Sequence, residues 1–275
     1  MISIKISKNV LIVPEIDINS KPDRFAVIWF VSSFIVLYFF SYIFLTQEII
    51  SIANLTYSFN ISSMSFFAWL IGKEYHSEDT FTGLLAQILS TIILLFVDPN
   101  VNFNIVTVLF AFILIRIVTK GDSRINGRVD LTSAFFIVLT TLYLTITTNS
   151  WIYPFFLSAA LFGGNQMNKA NDKNWWLSIT PLLFSMFWIY WQGTTRYVIY
   201  IQPFLMYLLG FLMIFALIGG IWGKDLLSDR ERIGRIVMIF FSLSVLFFGF
   251  KDALPTLIPM LMVSVMYLPV RYFNA

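Results

Sequence analysis

Cysteine is missing from the 275 residues, and histidine occurs once, at His76. Without cysteine no disulfide, thiolate nucleophile, iron–sulfur cluster or Cys/His zinc site can form, and haem ligation would fall to His76 alone. Charge is scarce too. Asp, Glu, Lys and Arg make up 12% of the chain, against roughly 25% in soluble domains. With 58% hydrophobic and 18% aromatic residues and a mean hydropathy of +0.80, that shortage excludes a water-soluble enzyme and a disordered chain. The phosphate loop G-x-x-x-x-G-K-[ST] is absent, so an ATP-driven role would need another chain. The paired-Asp signatures of membrane prenyl and phosphatidyl transferases are absent as well; Asp122 and Asp130 share a loop without the surrounding pattern.

Long apolar runs dominate instead. A stretch of about 17–25 apolar residues crosses a bilayer as a helix. Runs free of Lys, Arg, Asp and Glu lie at Phe25–Leu45, Ile49–Ile71, Phe81–Val97, Asn102–Thr119 apart from Arg116, Leu131–Thr148 and Trp151–Asn168. Trp175–Gln192, Tyr197–Gly223, Ile236–Phe250 and Ala253–Val270 complete ten. The second is rich in Ser, Thr and Asn, and the sixth is weakened by Gly163-Gly164-Asn165-Gln166.

Charge placement arbitrates the weak ones. With ten spans and the N-terminus in the cytoplasm, sixteen Lys and Arg fall inside and only Arg196 and Lys251 outside. Deleting the sixth span gives 11 to 7, and deleting the second gives at best 12 to 6. The positive-inside rule therefore selects ten. The formal charge of +3 and the pI near 9.0 report this excess of cytoplasmic Lys and Arg. The expected fold is an all-α integral membrane protein of about ten transmembrane helices in five hairpins, with N- and C-termini cytoplasmic. Residues 1–24 form a cytoplasmic tail, 25–271 a single transmembrane domain and 272–275 a short cytoplasmic end. The first apolar run lacks a small-residue cleavage site and is long for a signal-peptide core, so it reads as a retained helix. Trp69, Trp175 and Trp222 fall at the inner rim, and Trp151, Tyr153, Tyr190 and Trp191 at the outer one, as an interfacial belt requires.

Arg116 and Arg235 fall near inner helix ends, where they would snorkel to headgroups, which leaves the midplane bare of charge. A buried carboxylate for proton or sodium coupling is therefore not expected. Arg116, Lys120, Arg124 and Arg128 recur every fourth position along a loop that also holds Gly121 and Gly127. They anchor topology at the least, and as a functional site would dock a protein partner or an anionic lipid. Glu74, His76, Glu78 and Asp79 gather in one segment, which reads as a solvated loop; no catalytic residue, cofactor or metal is assigned. In the second run Ser51, Asn54, Ser58, Ser62 and Ser65 are spaced 3, 4, 4 and 3. At the helical pitch they share an arc of about 80°. Such a stripe packs against another helix or lines a polar path. Gln202-Pro203 is the most polar of the later proline sites.

The leading expectation is a non-catalytic membrane subunit or scaffold of a cell-envelope, secretion or transport assembly in a bacterial inner membrane. Its partners would be the lipid bilayer and a membrane or cytoplasmic protein, with no nucleic acid. The alternative is a facilitator or flippase for an uncharged or lipid-like solute. A metal-dependent membrane enzyme is the third.

Overall fold

The computed structural model describes residues 16–43, 51–75, 80–97, 103–120, 131–167, 175–192, 229–248 and 255–264. All nine regular elements among them are helices: α1 Lys21–Ser41, α2 Ile52–Tyr75, α3 Thr80–Leu94, α4 Ile105–Lys120, α5 Leu131–Thr148, α6 Ile152–Met167, α7 Trp175–Gln192, α8 Asp229–Phe248 and α9 Pro255–Ser264. The fold is all-α over these residues. The run expected at Tyr197–Gly223 lies outside them.

Helix lengths differ from the expectation. Among the described residues one helix, α1, is long and apolar enough to cross a membrane, and several others are shorter apolar helices. α3, α4 and α6 have 15, 16 and 16 residues. α3 stops at Leu94 because the chain tightens: Phe96 N–H donates to Ile93 O and Val97 N–H to Leu94 O. These three-residue bonds are the usual way a helix unwinds, and Pro99 two residues on disfavours helix before it. α6, by contrast, runs straight through Gly163 and Gly164 to Met167.

Local chemistry sets the ends. Ser20 caps α1, its hydroxyl accepting from Asp23 N–H at 3.3 Å, and Pro22 occupies the first turn, where a missing N–H costs nothing. The preceding turn is knitted onto this cap, since Asp17 N–H donates to Asp23 Oδ2 at 2.7 Å and Arg24 Nε to Ile18 O at 3.3 Å. The helix thus begins four residues before the apolar run at Phe25. α8 likewise starts at Asp229, seven residues before its apolar run. Between α5 and α6, Asn149 adopts φ 50° and Ser150 N–H donates back to Thr145 O at 3.1 Å. This left-handed asparagine ends α5 and lets α6 begin at once.

α2, α4 and α6 form a central row. α2 packs on α1, α3 and α4; α4 on α2, α5, α6 and α8; α6 on α4, α5, α7 and α8. α9 is buried throughout. It meets the start of α4, where Asn104 N–H donates to Thr256 Oγ1 at 3.2 Å.

α1 is turned inside out relative to a helix of a water-soluble protein. It buries Asp23, Ala26, Ser33, Leu37 and Ser41 and exposes Phe25, Ile28, Val31, Ile35, Val36, Phe39 and Phe40. α5 exposes Phe135, Phe136, Val138, Leu139 and Ile146. Its threonines satisfy their own hydroxyls, Thr141 and Thr145 each donating to the carbonyl one turn back at 2.7 Å.

Candidate functional site

The serine stripe of α2 faces inward. Asn54, Ser58, Ser62 and Ser65 are buried, and Ser51 is half-buried. Small side chains let α1 and α2 approach closely, so hydroxyls can meet across the interface. Ser33 Oγ of α1 donates to Ser62 Oγ at 3.2 Å. Within α2, Ser58 Oγ donates to Asn54 O and Ser65 Oγ to Ser62 O, each at 2.8 Å.

α3 closes the third side. Gln87 Nε2 donates to Ala26 O of α1 at 3.1 Å, and Trp29 Nε1 of α1 donates to Thr91 Oγ1 at 3.1 Å. α3 reaches α2 at a glycine contact: a Cβ on Gly72 would stand 2.6 Å from the Gly83 Cα. Trp69 lies beside it, its Cδ1 3.3 Å from where a Cβ on Gly83 would be. Two backbones this near are possible only without side chains. The result is a seam of uncharged hydrogen-bonding groups enclosed by three helices.

Charge gathers at one end of the seam. Lys73 Nζ of α2 pairs with Asp23 Oδ2 of α1 at 2.5 Å, with the Asp23 side chain 2% exposed. Lys73 also lies over the Trp69 ring, 5.3 Å from its centroid. The neighbouring Glu74 turns the other way, its Oε1 3.3 Å from Arg116 Nε of α4. Both partners are buried, and the guanidinium sits 5.5 Å from the Phe112 ring centroid. Adjacent residues of α2 thus fasten it to two different helices. Each pair neutralises charges that would be costly to bury singly.

Arg116 therefore stands apart from the basic set expected to meet a partner or lipid headgroup. It does not snorkel: Glu74 on the packed side of α4 holds it inside. Lys120 ends α4, and Arg124, Arg128 and Gln202 lie outside the described residues. So do His76, Glu78, Asp79, Asp122 and Asp130. Among the described residues no three His, Asp or Glu side chains gather to hold a metal ion.

Two members of the expected aromatic belt are core residues. Trp69 is buried beneath Lys73, and Tyr153 is buried with its hydroxyl 3.4 Å from Thr107 Oγ1. Tyr190 and Trp191, at the end of α7, are exposed. Ser158 and Ser185 join α6 to α7. Ser158 Oγ donates to Ser178 O, and Ser185 Oγ donates to Trp151 O at 3.1 Å.

Sequence reasoning missed Asp23, Glu74 and Gln87 as interior groups. A signal existed for two of them. Ser20-Lys-Pro-Asp23 has capping-box spacing and marks a helix start, and Gln87 shares one face of the third run with Gly83 and Ser90. No protein-family model, curated protein or solved structure matches the chain.

Proposed function

We propose that the chain is a multi-pass membrane protein whose ten apolar runs form five hairpins with both termini in the cytoplasm, and that it serves as a non-catalytic subunit or scaffold. The observation carrying this reading is the distribution of side chains on α1: small and polar residues inward, Phe, Ile and Val outward. Lipid solvates large apolar side chains as well as a protein core does, so membrane helices associate through small and polar residues. The charged groups of the described core support the non-catalytic part of the reading. Asp23, Lys73, Glu74 and Arg116 are spent on fastening helices. Lys120, Arg124 and Arg128 follow α4 in sequence and would dock the partner of an envelope, secretion or transport assembly in a bacterial inner membrane.

The natural absence of cysteine allows a direct topology test. Single cysteines at Gln47 and Thr194, between the first and second and the seventh and eighth apolar runs, should react with an impermeant maleimide from outside. One at Ser123 should react only after permeabilisation. Labelling of Ser123 in intact cells would overturn the topology. For the scaffold role, the native complex in mild detergent is weighed by intact-complex mass spectrometry. A stoichiometric partner lost on Arg124→Gln/Arg128→Gln is the expected result, and a chain running alone with a retained solute would overturn it.

A second reading, a facilitator or flippase for an uncharged or lipid-like solute, draws on the α2 stripe. From Ser51 to Ser65 it extends about 21 Å along the helix. Solute flux that falls when Ser58 or Ser62 is enlarged to Leu, with folding intact, would favour it over the scaffold.

A further inference from the structure

α1 has two sides that do not mix. Its buried residues, Asp23, Ala26, Ser33, Leu37 and Ser41, fall within an arc of about 80° at the helical pitch. The exposed ones cover about 180° on the opposite side. From Phe25 this outward stripe runs through Ile28, Val31, Ile35 and Phe39 to Ile43, with Ser32 as its one polar side chain. At the helical rise it is about 27 Å long, close to the roughly 30 Å of a bilayer's hydrocarbon core. Lys21 and Arg24 continue the same face, each exposed and one turn ahead of Phe25 and Ile28. They are the charges within the arc, since Asp23 points inward to Lys73. Arg24 is held in place: its Nε donates to Ile18 O and its Nη2 to Asn19 O, at 3.3 and 3.4 Å. Three of its five N–H donors are left for an anion. Ile18 beside it is 66% exposed, so apolar and basic groups adjoin at this end.

A second membrane helix would call for small residues on this face. α1 has turned its small residues inward: Ser33 donates to Ser62 of α2, and Ala26 O accepts from Gln87 of α3. What the outward face offers is bulk over one hydrocarbon thickness and a basic collar where that thickness ends. A phospholipid with an acidic headgroup complements both, its phosphate meeting the guanidinium and ammonium groups and its acyl chain the stripe. We propose that the outward face of α1 is a phospholipid-binding surface, with Lys21 and Arg24 selecting acidic headgroups of the cytoplasmic leaflet. This rests on the multi-pass reading and names the partner of one face.

Photocrosslinking of the full-length protein tests it. The chain has no cysteine of its own, so Phe25→Cys, Ile35→Cys or Ile43→Cys can each carry a single benzophenone. In nanodiscs of equimolar phosphatidylcholine and phosphatidylglycerol, irradiation should give lipid adducts at all three positions. Phosphatidylglycerol should be favoured several-fold at position 25 and not at position 43. Lys21→Gln/Arg24→Gln should return the ratio at position 25 to unity. Lys21→Gln alone leaves the Arg24 bonds to the turn intact and should lower the ratio part of the way, which separates loss of charge from loss of the turn. An equal ratio at position 25 in the unsubstituted background, or one that neither variant changes, would overturn the headgroup selection. Adducts to a second copy of the chain at position 35 would overturn the lipid surface while leaving the multi-pass reading in place. Maleimide labelling of Ser123→Cys in intact cells would sink that reading and this inference with it.

Discussion

Where α2 meets α1 and α3, the contacts are serine hydroxyls, an amide, two glycines and an ion pair. Where α4, α6 and α8 meet, they are aromatic rings. Phe241 of α8 stands 5.7 Å from Phe110, 6.2 Å from Tyr153 and 5.3 Å from Phe156, with the last two pairs edge-on. Edge-to-face rings gain electrostatic as well as dispersion energy, but their geometry tolerates small slips. Hydrogen bonds and glycine contacts do not, because a shift of one residue removes the partner. The first region therefore holds its helices in register, and the second supplies cohesion around the buried α4. The Glu74–Arg116 pair joins the two.

Substitutions that break this division should rank in a definite order. The largest losses, about 3–5 kcal/mol each, are expected for Arg116→Leu, which strands a buried carboxylate, and for Phe241→Ala, which empties the centre of the ring cluster. Thermal unfolding in detergent would show both. They differ in rescue: adding Glu74→Leu to Arg116→Leu should restore most of the stability, whereas no single partner change should rescue Phe241→Ala. If the double variant is no better than Arg116→Leu alone, the pair is not what joins the regions.

Next comes Gly72→Ala, at about 1–3 kcal/mol for overpacking. Its Cβ would meet the Gly83 Cα at 2.6 Å, and backbone cannot rotate aside. Gly83→Ala should cost less, since its closest contact is Trp69 O at 3.0 Å. Equal melting temperatures for the two would show that the helices separate freely there. The smallest effect belongs to the Ser33–Ser62 hydroxyl pair of the seam. A double-mutant cycle on Ser33→Ala and Ser62→Ala should give a coupling of about 0.6 kcal/mol, the usual scale for such bonds between membrane helices.

Much of the helical layout was legible along the chain. The apolar runs at Phe81, Leu131, Trp151 and Trp175 each overlap a helix closely, because long apolar runs without charge leave few alternatives to intrachain hydrogen bonding. Boundaries were less legible. The start at Lys21 depends on the Ser20 cap and the acidic Asp23 in the first turn, signals that an apolar-run reading passes over, and α8 also begins ahead of its apolar run. The serine spacing on α2 named a helix face, but which helices cover it follows from α1 and α3 packing there.

Charge was the hardest feature to place. Arg116 has the same local surroundings whether it points to a headgroup or to a carboxylate, and its partner Glu74 lies 42 positions earlier. Composition and apolar periodicity by themselves determined that this chain is built of helices and that its small polar residues share faces, because hydropathy and the pitch of the α-helix act locally. Only the tertiary structure decided which of those faces meet, that Trp69 and Tyr153 belong to the core, and that Asp23, Lys73, Glu74 and Arg116 pair. Those choices depend on contacts between residues distant in sequence, and the energy of each charge depends on what lies opposite it.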